Sequence, residues 1–238
     1  MNAIETKRLT KCFDTLTAVD ALDLTVREGE LFSLLGVNGA GKTTTIKMLS
    51  GLLKPTDGTA TVLGHDLLTE LPAIKPHVAV SPQETAVAPN LTVRENLELI
   101  AGIYGSDPAR VQKMIDELGL KKAEKIKAKS LSGGWQRRLS IAMALVSDPK
   151  LLFLDEPTLG LDVLARRELW KTIEDLKGKV TVILTTHYLE EAEALSDRVG
   201  VMNNGKLQIT GTPRELLDAA GTENFEEAFI KLAGGETK

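Results

Sequence analysis

Residues 36–43 read Gly36-Val37-Asn38-Gly39-Ala40-Gly41-Lys42-Thr43, a complete G-x-x-x-x-G-K-[ST] run. Such a loop offers successive backbone N–H groups to a chain of phosphates. Lys42 can reach the outer two phosphates, Thr43 can give its hydroxyl to Mg²⁺, and Thr44 adds a donor. A second glycine-rich start, Leu131-Ser132-Gly133-Gly134, precedes Trp135-Gln136-Arg137-Arg138 and a helical pattern reaching Val146. Helix N-termini carry unpaired N–H groups and a partial positive charge, so this end also suits an anion. A chain with one complete phosphate cradle and one bare phosphate-binding end holds half of a site that another copy would complete.

Carboxylates follow. Leu151-Leu152-Phe153-Leu154-Asp155-Glu156-Pro157 is an apolar strand ending in two acids. Asp155 is placed to hold Mg²⁺, directly or through water. Pro157 cannot donate to a strand ladder and stops the strand, which leaves Glu156 to turn toward the same place and orient an attacking water. His187, in Thr185-Thr186-His187, falls at the carboxyl end of another strand, where ligands of open α/β sheets bind. Alone it would be read as structural; beside the other segments it is a partner for a γ-phosphate and water. Gln83, in Val80-Ser81-Pro82-Gln83-Glu84, is either a solvated loop residue or a contact to Mg²⁺ or the water. Phe13 either stacks on a base or packs in the core.

The elements that position these residues are legible in outline. Leu31-Phe32-Ser33-Leu34-Leu35 is a continuous run suited to a strand buried on both faces, and a helical stretch follows Lys42 to about Leu52. Leu22, Leu24 and Val26 alternate with Asp23 and Thr25 as one half-exposed antiparallel strand. Residues 59–63 and 78–81 are short strands. Residues 91–128 turn helical: Thr92-Val93-Arg94-Glu95 is a capping box before a helix reaching Tyr104. Asp107-Pro108 starts another helix with proline at its first position, closed by Gly119. This block is a helical lobe inserted into an α/β domain. Residues 180–185 return as a buried strand after a helix over 163–177. Asn203-Asn204-Gly205 is a hairpin turn, and residues 225–232 form one short amphipathic helix.

Composition sets bounds. Of 238 residues, 42% are hydrophobic and 26% charged, the balance of a globular domain that is not a membrane span. A net charge of −4 argues against a general nucleic-acid binder, which carries a basic face. The single cysteine, Cys12, has no intrachain partner, and packing is its expected role. The N-terminus lacks the basic-then-apolar layout of a signal peptide, and no apolar run approaches the ~20 residues of a span.

In this order, over about residues 2–211, these segments resemble the ATP-binding subunit of an ABC transporter. The resemblance implies a P-loop NTPase core with a mostly parallel sheet, an antiparallel β part (together 1–82 and 147–211), a helical subdomain over 83–146 and a short tail over 212–238. It implies that Phe13 stacks on adenine, that Gly36, Asn38, Gly39, Ala40, Gly41, Lys42, Thr43 and Thr44 bind ATP, and that Thr43, Gln83 and Asp155 face Mg²⁺. Glu156, His187, Lys42 and Gln83 are the implied catalytic set. Ser132, Gly133, Gly134 and, after Gly160-Leu161, Asp162 are implied to reach ATP in trans. The implied partners are a separate transmembrane permease and a second ATPase subunit, identical or paralogous, at the cytoplasmic face of the cell membrane. No nucleic-acid partner is expected.

Two positions depart from the family pattern: Trp135 stands where glutamine is usual, and Leu159 where serine is common. A bulky apolar residue at 135, and no room for a regulatory domain after Gly211, resemble exporter-type subunits for drugs, ions or polysaccharides. Importer subunits, or soluble ABC ATPases acting on ribosomes or DNA, are the other readings.

Overall fold

The computed structural model describes residues 1–234. Strands β1 (Asn2–Phe13), β2 (Leu16–Leu22) and β3 (Thr25–Arg27) precede β4 (Leu31–Gly36) and helix α1 (Lys42–Leu49). Then come β5 (Asp57–Val62), β6 (His65–Asp66), α2 (Leu71–Ile74) and β7 (Val78–Ser81). Helices α3 (Val93–Tyr104), α4 (Ala109–Glu117) and α5 (Gly133–Leu145) lead to β8 (Leu151–Asp155), α6 (Val163–Glu174) and β9 (Thr181–Thr186). The chain closes with α7 (Leu189–Leu195), β10 (Arg198–Asn203), β11 (Lys206–Gly211), α8 (Pro213–Ala220) and α9 (Phe225–Leu232).

The larger sheet has the order β11-β10-β4-β9-β8-β7. All its pairings are parallel except β10 with β11. The smaller sheet is antiparallel, with the order β2-β1-β5-β6 and β3 also on β1. Strands β4, β8 and β9 are buried along their whole length, as their unbroken apolar runs require. Their residues alternate between two cores. Leu31, Leu152, Leu154, Val182 and Leu184 face helices α3 to α6, while Phe32, Leu34, Leu151, Phe153 and Ile183 face α1 and the antiparallel sheet. Val93 and Leu97 of α3, Val111 and Ile115 of α4 and Leu139 of α5 belong to the first of these cores, so the inserted helices share one apolar cluster with the sheet. A third cluster joins α7, β10, α8 and α9 around Val199, Leu216 and Phe225.

Several local expectations need correction. Leu22, Leu24 and Val26 are all buried, but Leu22 ends one strand, Val26 lies in the next and Leu24 falls in the break between them. Ala21 takes φ +47°, β2 ends at Leu22, and β3 pairs with a different part of β1. Pro108 is the N-cap of α4 and not its first helical residue; the Asp107 side chain accepts from the Ala109 N–H at 2.8 Å, which occupies the position proline was expected to mark. The tail holds two helices, because Thr212-Pro213-Arg214-Glu215 is a second capping box that starts α8. Helix α6 stops at Glu174, three residues before the expected Lys177. The box at Thr92 and the span of α3 are as the sequence predicts.

Candidate nucleotide site

Four neighbouring parallel strands deliver the chemistry-bearing residues at their carboxyl ends. The glycine loop leaves β4, His187 leaves β9, Asp155 and Glu156 end β8, and Gln83 follows β7. That edge of an open α/β sheet is where ligands bind. A cavity of about 640 Å³ opens there, lined by residues 38–44 of the glycine loop with Gln83, Glu156 and His187. Phe13, Leu159 and the hairpin turn at Asn204 and Gly205 line it too.

The glycines of the loop answer to geometry. Gly41 takes φ +102°, and a Cβ there would meet the Ala18 carbonyl oxygen at 2.5 Å. A Cβ on Gly36 would meet the Met202 carbonyl oxygen at 2.5 Å. The turn at Gly205 also supports the loop, donating its N–H to the Ala40 carbonyl at 3.1 Å.

Inside the cavity the polar groups hold one another. Lys42, 4% exposed, curls over its own loop and donates to the Gly36 and Val37 carbonyls at 2.8 and 3.2 Å. Its Nζ lies 3.4 Å from Glu156 Oε1. Glu156 Oε2 shares a hydrogen bond of 3.0 Å with His187 Nδ1. Thr43 donates its hydroxyl to Asp155 Oδ1 at 3.0 Å, and Thr185 donates to the same oxygen at 2.5 Å.

Glu156 reaches this group through its backbone. It takes φ +47°, a left-handed conformation that costs a non-glycine residue about 1–3 kcal/mol. Its N–H is fixed by the Thr185 carbonyl and hydroxyl, each at 3.1 Å. Consecutive strand residues would face opposite ways; the left-handed kink turns both acids to one side. Pro157 alone would not have done this. Thr185, directly across the ladder from Asp155, is a supporting residue that no sequence motif singles out.

The donor set fits a hard divalent cation. A hydroxyl and a carboxylate sit together, with an amide side chain on the same cavity. Among the described residues no group of three or more His, Cys, Asp and Glu could hold a metal. Mg²⁺ matches such a sparse set, since it keeps water and takes phosphate oxygens as its remaining ligands.

The second glycine-rich start lies elsewhere. Ser132 is the N-cap of α5, is exposed, and makes no side-chain cap hydrogen bond. None of Ser132, Gly133, Gly134 and Asp162 lines the cavity. These four do lie near one another: a Cβ on Gly134 would touch that of Ala165 at 3.0 Å, and one on Gly133 would come to 3.6 Å from Leu161. Asp162 caps α6, its Oδ1 accepting from the Leu164 and Ala165 N–H groups at 2.9 Å. Val163 and Leu164, the apolar pair beside it, are 65% and 76% exposed. Trp135 is half-buried against the core, with the Arg138 guanidinium 5.2 Å from its ring centroid. Arg137 is a residue with no sequence signal. It is buried in α5 and its guanidinium donates to the Pro82 and Gln83 carbonyls, tying this helix to the loop that carries Gln83. Phe13 is 44% exposed at the end of β1, so it is not a core residue.

The sequence profile described as ABC transporter matches residues 19–159. The chain belongs to the ABC transporter family. It is 41% identical over 239 residues to "Probable multidrug ABC transporter ATP-binding protein YbhF" of Escherichia coli (strain K12), covering 96% of this chain and 41% of that protein. It is 43% identical over 225 residues to "Daunorubicin/doxorubicin resistance ATP-binding protein DrrA" of Streptomyces peucetius, covering 92% of this chain and 68% of that one. The chain thus spans about two fifths of the YbhF length. Among solved structures, an ATP binding subunit of an ABC transporter superposes with TM-score 0.85 at 29% identity, over 97% of this chain and 99% of that chain. The ATP-binding cassette MJ0796, a post-hydrolysis dimer bound to ADP and Pi, gives 0.78 at 25%, over 88% and 98%. The core is the P-loop NTPase fold of ABC ATPase domains, as the motifs implied.

Proposed function

We propose that this ABC family member binds and hydrolyses ATP between two copies of itself and so energises export through a separate transmembrane protein. The observation that carries the reading is the contact set at one sheet edge: Lys42 with Glu156, Glu156 with His187, and Thr43 with Asp155.

In this reading residues 36–44 bind the phosphates, and Phe13 offers an exposed ring face to the base. Lys42 releases its loop carbonyls and turns its ammonium to the β and γ phosphates. Mg²⁺, held by Thr43 and Asp155 with Gln83 near it, supplies charge neutralisation of the phosphates. Glu156, freed from Lys42, accepts a proton from the attacking water. His187 keeps Glu156 oriented and hydrogen-bonds the γ-phosphate. The dimer is supported by the exposed Ser132, its free hydroxyl, and the apolar Val163 and Leu164 beside it. The related cassette MJ0796 is dimeric.

Export is supported by the names of two relatives, one a probable multidrug transporter protein and one a daunorubicin/doxorubicin resistance protein, and by the bulky Trp135. Among the described residues no helix is long and apolar enough to cross a membrane, and the reading assigns the span to a separate partner. Its docking surface is the apolar outer face of α3, where Leu99, Ile103 and Tyr104 are 46%, 68% and 54% exposed, next to the loop that Arg137 ties to α5. In this reading the protein acts at the cytoplasmic face of the membrane.

The test is Glu156→Gln. The variant should bind ATP, lose turnover by about 10²–10⁴-fold, the worth of a general base, and accumulate as an ATP-bound dimer. Undiminished hydrolysis would overturn the assignment.

A further inference from the structure

One buried carboxyl takes no part in that chemistry. Glu191 lies in the first turn of α7, four residues after His187, with no exposed surface. Side chains from three segments converge on it. Trp170 of α6 donates its indole N–H to Oε1 at 3.0 Å. Thr186 ends β9, Thr158 stands two residues beyond Glu156, and both hydroxyls are buried close to the carboxyl. Arg166, one turn before Trp170, lays its guanidinium 4.3 Å from the centroid of the Tyr188 ring. That ring lies against His187, the centroids 4.2 Å apart.

This is a costly arrangement for mere packing. Glu191 Oε2, Thr158 Oγ1 and Arg166 Nε close no aligned hydrogen bond among the described residues. A buried polar atom left so costs about 1–3 kcal/mol. Burial also raises the Glu191 pKa above its ordinary value, against the opposing pull of the Thr186 and Thr158 hydroxyls, Trp170 and the Arg166 charge. An apolar side chain of similar volume would fill the space without that penalty. What it would not supply is the one strong bond, which joins α6 to α7.

Helix α6 begins at Val163, capped by Asp162, with the exposed pair that the proposed dimer covers in its first turn. Helix α7 follows directly from His187. The geometry points to Glu191 as a positioning residue that couples α6 to the His187 turn through Trp170, so that contact with a second copy at residues 159–164 steadies the His187–Glu156 bond that the single chain already forms. The coupling rests on the dimeric ATPase reading above.

Three variants of the full chain test it. Trp170→Phe keeps the ring and removes the N–H. Glu191→Leu keeps the volume and removes the acceptor. Glu191→Gln keeps the acceptor. The first two should lower kcat about 3- to 10-fold, the worth of one hydrogen bond, with KM for ATP unchanged because the cradle is untouched. Glu191→Gln should retain most of the wild-type kcat. Amide hydrogen exchange of the free protein gives a readout without turnover: Trp170→Phe should raise it in residues 156–162 and 186–191 together. Unchanged kcat in Trp170→Phe, or an equal fall in all three variants, overturns the coupling. Should the wild type not hydrolyse ATP, the functional reading fails by itself. Exchange that rises in only one segment, or in neither, then overturns the coupling.

Discussion

Two glycine-rich turns open helices in this protein, and they are finished to different degrees. At residues 36–43 the two reactive side chains already have partners: Lys42 holds two carbonyls and faces Glu156, while Thr43 holds Asp155. At residues 131–134 the serine hydroxyl is exposed and caps nothing, though the helix it opens would accept a cap. The first turn is backed by β2, the β10–β11 hairpin and Asp155 and Glu156. The second lies against the start of α6, with Leu131 packed on the core. Under the proposed function the difference is that between a preorganised half-site and an end shaped for a second copy of the chain.

Substitutions can break or sharpen that contrast. The largest effect is expected for Lys42→Ala, which removes the phosphate cation and leaves Glu156 with His187 alone. Nucleotide affinity should collapse in calorimetric titration, and losing one partner of a buried ion pair should cost about 3–5 kcal/mol in denaturant unfolding. Gly41→Ala comes next. Its φ of +102° and the Ala18 carbonyl at 2.5 Å forbid a Cβ without movement, so stability should fall by about 1–3 kcal/mol. Thr92→Ala should cost about 1 kcal/mol through its lost capping box. Ser132→Ala, by contrast, should leave unfolding within about 0.5 kcal/mol and ATP binding by the single chain unchanged, since its hydroxyl holds nothing. A large destabilisation by Ser132→Ala would remove the contrast.

The pH dependence of stability separates two carboxyls in the same way. Hydrogen bonds from Lys121 and Arg94 lower the Glu124 pKa below its ordinary 4.5. Its contribution is present above 4.5 and is lost as pH falls through the lowered folded value. Burial raises the Glu191 pKa above 4.5, so its contribution is present below that value and is lost as pH rises through the raised one. In melting temperature against pH, Glu124→Gln should flatten the acid arm and Glu191→Gln the arm above it.

Much of this was legible in the sequence because it rests on local rules. The buried runs of β4, β8 and β9, the capping box at Thr92 and the Asn-Gly turn each carry their own signal in adjacent residues. The gathering of Gln83, Glu156 and His187 with residues 38–44 was also foreseeable, since each follows a strand of one parallel sheet. What escaped depends on long-range partners. The left-handed backbone at Glu156 is imposed by Thr185, 29 positions away. The grip of Arg137 on the Gln83 loop spans 54 positions, and the Trp170–Glu191 bond joins two helices. None of these residue types looks unusual where it stands. The break between β2 and β3 was missed for a similar reason: alternation continues through it, and only pairing with β1 shows two strands.

The most direct test of the half-site account is complementation. Lys42→Ala spoils the cradle and spares Ser132; Ser132→Arg spoils the second end and spares the cradle. Each protein alone should be inactive as an ATPase. Mixed, they should regain hydrolysis, because one of the two sites in the mixed dimer joins an intact cradle to an intact Ser132 end. No recovery on mixing, or full activity of Ser132→Arg alone, would contradict the account.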